Sequence, residues 1–247
     1  MRPPRMHGLL RSAAAVVGFA LVTAACSGSD DIVVSSPFDE PATSDQVAEE
    51  VADADLAPDA AATPECPPEG GTDGVTQQFA AAPPFCLDPD VTYSALVETS
   101  AGDITIELDQ AAAPETVNSF VFLARNNYFD DTICHRVIQD FVVQCGDPTA
   151  TGTGGPGYRY ADELPDEGAY EIGSIAMANS GPDTNGSQFF IISGPNGAAL
   201  PPLYSLFGQV PEAGLDVVAD MNALGSADSS GVPTEEIRIL DVRIVES

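Results

Sequence analysis

The chain has 247 residues and a formal net charge of −30 at pH 7, from 38 acidic residues against eight arginines and no lysine. A charge of this size and sign repels nucleic acid and anionic lipid headgroups, so neither is expected as a partner. The charge favours solubility but says nothing about catalysis, which has to be sought in individual motifs.

Residues 1–25 have the pattern of an export signal. Three arginines precede an apolar run over residues 13–22, which is too short for a comfortable transmembrane helix. Two alanines then precede Cys26, which resembles a bacterial lipobox and predicts a lipoprotein signal peptide with Cys26 as the lipidated residue. Thr23 departs from that pattern, so an ordinary secretory signal is the alternative. Lipidation would anchor the exported protein to the extracytoplasmic face of the cell membrane.

Two segments follow the export signal. Residues 26–65 are rich in Ala, Asp, Glu, Pro and Ser and have few large apolar side chains, which predicts a disordered acidic tether. Residues 66–91, which we call the collar, carry Cys66 and Cys86 at either end of Pro- and Gly-rich sequence. This composition predicts a loop-rich segment closed by a disulfide rather than a second domain.

The cysteines that follow Cys26 number four, an even set that predicts two disulfides in an exported protein, with three possible connectivities. A metal site is not predicted, because only one histidine lies beyond the export signal and no CxxC spacing exists. The four candidates are Cys66, Cys86, Cys134 and Cys145.

Residues 92–247 have the pattern of a mainly β domain. Apolar alternation on both sides of a Ser-Ala-Gly turn predicts a hairpin over residues 94–99 and 103–108. An apolar stripe after Pro114 predicts a helix, and a second helix is expected over residues 215–224. Many short strands with two helices predict a closed antiparallel barrel. The remaining strands are predicted at 133–138, 141–145, 172–177, 188–192, 205–210 and 236–245.

Two blocks carry the strongest functional signal. The first joins ICHRVI at residues 133–138 to QCGD at 144–147, and the second is MANSGPDTNGSQFF at 177–190. In this order and spacing they resemble the cyclophilin family of peptidyl-prolyl cis-trans isomerases, over about residues 92–247. The resemblance implies a closed eight-stranded antiparallel barrel capped by two α-helices. It also implies an isomerase of X-Pro peptide bonds that needs no cofactor or metal.

The resemblance further implies the active site. Arg136 matches the family's catalytic arginine, although the pattern alone favours an arginine on the solvent face of a hairpin, paired with an acid. For the aromatic positions, packing in the core is the alternative interpretation. The implied substrate-binding residues are Phe141, Val142, Gln144, Ala178, Asn179, Gln188, Phe190, Leu200 and Tyr204.

Three positions depart from the family pattern near the expected pocket. Val142 stands where many members have Met, and Tyr204 stands where animal members have His. Ala199 occupies the position of a Trp on which the family's tight binding of cyclosporin depends. We therefore expect catalysis to be kept and cyclosporin to bind weakly.

The pairing of the cysteines is harder to predict. Cys66 and Cys86 share the collar, which favours a bond between them and leaves Cys134 to Cys145. Strict strand alternation opposes the second pairing: if Arg136 faces the pocket with Gln144, then Cys134 and Cys145 lie on opposite faces. A β-bulge in the hairpin would remove the conflict, and we favour the bond.

Two further patterns have simple interpretations. Residues 152–157 satisfy GxGxxG, but Pro156 removes a backbone donor and no convincing helix follows, so a loop is predicted rather than a dinucleotide site. The Asn-Gly-Ser triplet at residues 185–187 is a formal glycosylation sequon and is interpreted as a turn in the binding block.

The sequence therefore predicts an exported, lipid-anchored isomerase that assists the folding of envelope or secreted proteins. Its expected partners are proline-containing polypeptides, and it is expected to be a monomer. The alternative is a non-catalytic peptide-binding module that acts as a chaperone or scaffold on the cell envelope. A structural envelope protein is a third possibility, but it leaves the pocket residues unexplained.

Overall fold

A computed structural model describes residues 63–226 and 231–247. The predicted export signal, Cys26 and nearly all of the predicted tether lie outside the described residues. Within the described part, no helix has the length and apolar character needed to cross a membrane.

Eight antiparallel strands form one curled sheet, in the order β3-β4-β6-β5-β7-β2-β1-β8. The strands are β1 Tyr93–Thr99, β2 Ile104–Leu108, β3 Arg136–Ile138, β4 Val142–Cys145, β5 Ser174–Met177, β6 Phe189–Ile192, β7 Leu206–Gln209 and β8 Ile239–Glu246. Each lies within a segment that the sequence pattern predicted or extends it by one residue. The helices are α1 Pro114–Arg125, α2 Pro195–Ala198 and α3 Leu215–Ala223, with a 3-10 turn at Glu212–Gly214.

The predicted closed barrel is only partly confirmed. The eight antiparallel strands are present, but the pairing stays open between the edge strands β3 and β8. An isolated bridge joins Ile133 to Arg238 beside these edges, and the Cys134 N–H donates to the Ile237 carbonyl over 2.8 Å. β3 is only three residues long, because regular pairing is lost over its predicted first half, and no ladder joins it to β8. The sheet is therefore an open half-barrel.

Helix α1 fills the hollow of this half-barrel. Pro114 lies in the first turn, where its missing N–H costs nothing, and Glu115 and Arg125 match the helix dipole at the two ends. The Phe120 ring packs against the rings of Phe129 and Phe207, with centroids 5.2 and 5.3 Å away. These contacts join the helix to the far side of the sheet and make it the centre of the core.

The collar packs against the outer side of α1. Phe79 is buried in the main core, and its ring meets the Phe122 ring edge-on at 4.7 Å. The Asn118 side chain accepts from the Cys86 N–H at 2.7 Å and donates to the Pro84 carbonyl at 3.0 Å. The collar is thus held by an apolar anchor and by hydrogen bonds to α1.

Both predicted disulfides are present, Cys66 with Cys86 and Cys134 with Cys145. The expectation that Cys134 and Cys145 lie on opposite faces is wrong, since both are buried in the main core. His135 and Arg136 are both partly exposed, so the alternation of side chains is interrupted just after Cys134.

The β-bulge predicted to reconcile this pairing is not formed. Ile133 pairs with Asp147 in the same register as Arg136 with Gln144, so no residue is inserted between them. The Cys134 N–H instead bonds to the Ile237 carbonyl, outside the β3–β4 ladder. Loss of regular pairing at Cys134 is therefore enough to turn its side chain inward.

Acidic side chains crowd the turn after α1. Burial raises the pKa of Asp130 to about 6, and repulsion from Asp241 and Asp131 acts in the same direction. An unfolded Asp titrates near pH 3.9, so the folded state binds this proton more tightly. By linkage, the free energy of unfolding therefore falls as the pH rises from about 4 to above 6. At neutral pH, Asp130 is ionised in both states and its destabilising effect is at its full size.

We therefore expect Asp130→Asn to raise the melting temperature at pH 7.5 and to change it little at pH values near 4. The matched control is Asp103→Asn, which neutralises an exposed aspartate on the first hairpin. Thermal unfolding of both variants across this pH range checks the prediction. Equal effects of the two substitutions at every pH would contradict it.

Candidate active site

Strand register places the predicted site residues in one row. Arg136 pairs with Gln144 across β3 and β4, Gln144 with Phe190 across β4 and β6, and Phe190 with Ala176 across β6 and β5. Cross-strand partners project on the same face of a sheet, about 5 Å apart. Arg136, Gln144 and Phe190 therefore share one face, and their alternate neighbours Val143 and Cys145 enter the main core.

A second apolar cluster, separate from the main core, lines this face. All six apolar residues predicted for the substrate pocket belong to this cluster or pack against it. The six are Phe141, Val142, Ala178, Phe190, Leu200 and Tyr204. The sequence analysis missed other members of the cluster, namely Tyr170, Ala176, Ile192, Ala198 and Leu206.

Tyr170 orders one side of the pocket. Its hydroxyl donates to the Tyr204 carbonyl at 2.7 Å and accepts from the Tyr204 N–H at 3.1 Å. Burial raises the pKa of Tyr170, so the hydroxyl keeps the proton that it donates. The Tyr204 ring in turn meets the Phe190 ring edge-on at 5.3 Å. Tyr170 lies in a loop without periodicity, so no sequence signal pointed to it.

The turn between β3 and β4 places Phe141 at the pocket. The Phe141 N–H donates to the Ile138 carbonyl at 3.1 Å, and Asp140 adopts a left-handed conformation with φ 58°. The turn lies so close to α2 that a Cβ on Gly197 would be 2.3 Å from the Phe141 carbonyl oxygen. Glycine at this helical position is therefore required for the turn and its phenylalanine to reach the pocket.

Arg136 is held at the edge of the pocket without an acidic partner among the described residues. Its guanidinium carbon lies 5.7 Å from the centroid of the Phe141 ring, within range of a cation–π contact. Nη1 lies 3.4 Å from Oε1 of Gln144, a long hydrogen bond. Gly231 packs on the side-chain stem, where an added Cβ would be 2.8 Å from Cγ of Arg136. Among the described residues, Arg136 therefore contacts an aromatic ring and an amide rather than the acid of a surface ion pair.

A chain of amides continues from Arg136 along the polar edge of the site. Nε2 of Gln144 donates to Oε1 of Gln188 at 2.9 Å, and Nε2 of Gln188 donates to the Gly154 carbonyl at 2.9 Å. Each amide is oriented by the next, which leaves Oε1 of Gln144 directed at Arg136. The chain ends at residues 152–157, the glycine-rich loop.

The Asp147 carboxylate holds the glycine-rich loop in place through hydrogen bonds. The carboxylate is completely buried and accepts from the backbone and side chain of Thr149 at 2.7 and 2.8 Å and from the Gly154 N–H at 3.1 Å. Burial acts to raise the pKa of Asp147, but the hydrogen bonds from Thr149, Gly154 and Gly152 outweigh it, and the pKa is lowered. A Cβ on Gly154 would lie 2.0 Å from Oδ1 of Asp147, so only glycine lets the backbone approach the carboxylate this closely.

The GxGxxG pattern is thereby explained without a dinucleotide. Residues 152–157 form a loop with no helix after it, as predicted. Burial lowers the pKa of the neighbouring His135, which opposes a charged imidazolium beneath the loop. In the described part of the chain, no group of three or more His, Cys, Asp or Glu residues is placed to hold a metal ion.

The two asparagines of the second block have structural roles. The Asn179 side chain donates to the Leu203 carbonyl at 2.8 Å and accepts from the Gly181 N–H at 3.2 Å. The Asn179 side chain is thus engaged within the fold, beside the pocket. Asn185 of the sequon is completely buried and donates to the Ala161 carbonyl at 3.0 Å. It forms an isolated antiparallel bridge with Tyr160 rather than the predicted turn.

Comparison with known proteins assigns the domain. The family model described as "Cyclophilin type peptidyl-prolyl cis-trans isomerase/CLD" matches residues 94–244. A Mycobacterium leprae protein named "Probable peptidyl-prolyl cis-trans isomerase B" is 40% identical over 175 residues, which cover 64% of this chain and 58% of that protein. The "Peptidyl-prolyl cis-trans isomerase-like 1" of Gibberella zeae is 40% identical over 161 residues, which cover 63% of this chain and 97% of that protein.

The fold is shared with solved structures. A Cryptosporidium parvum cyclophilin type peptidyl-prolyl cis-trans isomerase matches with a TM-score of 0.57 and 33% identity, over 63% of this chain and 99% of that one. A second structure of that protein, in the presence of the dipeptide Ala-Pro, matches with a TM-score of 0.56. The collar, residues 66–91, lies wholly before the region that the family model matches, which begins at residue 94.

Asp147→Asn should loosen the glycine-rich loop. An amide retains one oxygen, whereas donors approach both carboxylate oxygens, so at least one buried donor loses its partner, at a cost of about 1–3 kcal/mol. We expect a lower melting temperature and weaker peptide binding, since Gln188 loses its support. Asp166→Asn, at an exposed aspartate, is the control. Unchanged stability of the Asp147 variant would show that the carboxylate does not hold the loop.

Proposed function

The chain belongs to the cyclophilin family of peptidyl-prolyl cis-trans isomerases. We propose that it catalyses the cis-trans isomerisation of X-Pro peptide bonds in exported or envelope proteins by a non-covalent mechanism. The observation that carries the mechanism is the placement of Arg136, which lies beside an apolar pocket and lacks an acidic partner among the described residues. Within the described part of the chain, no carboxylate competes with a substrate for its guanidinium.

The chemical task is rotation of an amide rather than cleavage of a bond. The barrier is about 18–20 kcal/mol, because the C–N bond has partial double-bond character that is lost when the peptide twists. Twisting frees the lone pair of the proline nitrogen. A guanidinium directed at that nitrogen donates a hydrogen bond that exists only in the twisted state, so it stabilises the transition state over both planar isomers.

The pocket holds the proline ring while the carbonyl rotates. Phe141, Val142, Phe190 and Leu200 supply apolar surface against the ring, and Val142 and Phe190 are only 2% and 4% exposed. Apolar surroundings exclude the water that would stabilise the planar, more polar amide. The Gln144 amide and the Asn179 backbone flank the pocket and would hold the peptide on either side of the rotating bond.

A non-catalytic peptide-binding chaperone or scaffold remains the alternative function. Such a module needs the apolar pocket and the amide edge, but it has no need of an unpaired cation in partly buried surroundings, where charge is costly. The amide chain and Gly231 instead keep Arg136 at the pocket edge. This arrangement favours the enzyme.

We further propose that the protein acts outside the cytoplasm, anchored through Cys26. The support is the export pattern of residues 1–25 together with the two disulfides of the domain, which persist in oxidising compartments. The 39 residues between Cys26 and the collar would span roughly 35 Å as a flexible chain. This reach suits clients that emerge close to the membrane surface. A monomer is sufficient for this role.

Arg136→Ala should lower kcat/KM for a proline peptide by at least about tenfold, equivalent to about 1.4 kcal/mol of transition-state stabilisation. Thermal stability should change little, because Arg136 forms no ion pair with the residues that the structure describes. The matched control is Arg243→Ala, an exposed arginine on β8 that should leave activity unchanged. A protease-coupled or NMR exchange assay measures the rates. Full activity of Arg136→Ala, with Arg243→Ala also active, would refute the mechanism.

Cyclosporin should inhibit the protein only weakly, because Ala199 is small and exposed at the end of α2 where the family has a Trp. We expect Ala199→Trp to tighten inhibition by at least about tenfold through added apolar contact. Inhibition constants in the same isomerase assay decide this. Nanomolar inhibition of the wild type would show that the loop from Ala199 to Tyr204 is wrongly matched to the family.

Cys26→Ser should abolish labelling by a fatty-acid probe and release the protein from membranes of a bacterial host. The thioether at Cys26 would be the only attachment site, because the tether is acidic and repels anionic headgroups. Fractionation and labelling of wild type and variant provide the measurement. Membrane retention of Cys26→Ser would mean that another contact holds the protein.

A further inference from the structure

A gap in the hydrogen-bonded ladder lies directly beside the row of site residues. Arg136 and Gln144 form the last pair of the regular ladder between β3 and β4. The next bridge between these two stretches of chain is an isolated one at Ile133. Among the described residues, the two stretches make no β-bridge between these points, and the Cys134 N–H donates instead to the Ile237 carbonyl at 2.8 Å. The row therefore begins where regular pairing stops.

The Cys134–Cys145 disulfide crosses this gap. Cys145 is the last residue of β4 and follows Gln144 directly, whereas Cys134 precedes His135 and Arg136. Both cysteines are 2% exposed and belong to the main core, so the bond lies behind the sheet as seen from the pocket. A covalent bond thus joins the two strands at the point where hydrogen bonds between them are missing.

The guanidinium of Arg136 depends on the backbone at this strand end. Its own contacts are long, since Nη1 lies 3.4 Å from Oε1 of Gln144 and the guanidinium carbon lies 5.7 Å from the centroid of the Phe141 ring. Gly231 contacts only the stem of the side chain. Among the described residues, no carboxylate holds the charged group. A shift of the backbone is therefore passed on to the guanidinium.

The strand that carries Arg136 is weakly supported by the sheet. β3 is an edge strand of three residues, and β4 is its one neighbour in the strand order. Ends and edges of a fold open locally at a lower free energy than its central strands. A catalytic group that is misplaced by about 1 Å can lower a rate by on the order of 100-fold. A crosslink at this end therefore has a direct bearing on catalysis.

We propose that the Cys134–Cys145 disulfide is a positioning crosslink, which keeps Arg136 and Gln144 in register so that the guanidinium can reach the twisted amide. The inference rests on the proposed isomerase function and adds two positioning residues to it. The bond lies on the core side of the sheet, so it acts through Arg136 rather than on the substrate. Its loss should lower kcat and leave KM little changed, because the contact of Arg136 with the proline nitrogen exists only in the transition state.

The test compares the two disulfides by substitution of each pair in the full chain. Cys134→Ala with Cys145→Ala should lower kcat by at least about fivefold at a temperature well below the melting temperature. Cys66→Ala with Cys86→Ala removes the collar disulfide, away from the ladder, and should leave kcat unchanged. In a chain that already carries Arg136→Ala, loss of the Cys134–Cys145 bond should lower kcat by less than about twofold, because the group that it positions is absent.

A second measurement leaves Cys134 and Cys145 in place. The chain with the collar pair replaced and Cys26→Ser retains these two cysteines alone. Unfolding and refolding in a dithiol reductant breaks the bond: two electrons and two protons pass to the two sulfurs, and the reductant becomes a disulfide. The reduced protein should show the same fall in kcat, and reoxidation should restore it. Such recovery excludes the change of side-chain volume as the cause.

The outcomes separate this inference from the proposed function. An unchanged kcat in the folded alanine pair or in the folded reduced protein would refute the crosslink and leave the isomerase in place. An equal fall in the collar variant, or a fall that persists in full in the Arg136→Ala chain, would show a general effect on stability and would also refute it. If the wild type isomerises no proline peptide, the proposed function itself fails.

Discussion

The active face depends on the register of one short strand. β4 has only four residues, and their alternation directs Val143 and Cys145 to the main core and Val142 and Gln144 to the pocket. A slip of one residue would exchange these two sets and bury the glutamine. The Cys134–Cys145 disulfide lies on the core face, so it ties the strand to its neighbour at the point where regular pairing ends. The row from Arg136 through Gln144 to Phe190 follows from that register.

The polar groups around this row are each oriented by a hydrogen bond to a neighbour. The Gln144 and Gln188 amides are each oriented by a hydrogen bond to the next group, and the buried Asp147 holds the loop that receives the last of them. Buried polar networks specify one arrangement when every member is satisfied. The collar adds an outer support through Gln78, so residues outside the matched domain contribute to the cleft. Catalysis without a covalent intermediate depends on this kind of positioning.

Much of the architecture could be predicted from the sequence, because a period of two in apolar residues is a local signal. It located all eight strands, and the Pro114 helix was marked by its proline and apolar stripe. The end of β3 was not predictable, because the inward turn of Cys134 results from a hydrogen bond to Ile237, a residue distant in sequence. Tyr170 and Gly154 were missed because their roles come from contacts across loops.

The direct test of the row as a functional unit is a double-mutant cycle on kcat/KM with Arg136→Ala and Gln144→Ala, using one proline peptide. If Gln144 acts by orienting the guanidinium, Gln144→Ala should lower kcat/KM less when Arg136 is already absent. The combined loss should then fall short of the sum of the single losses, by at least about 0.5 kcal/mol, roughly a factor of two. Losses that add within error, with each single variant folded, would contradict a cooperating row and leave the two residues as independent contributors.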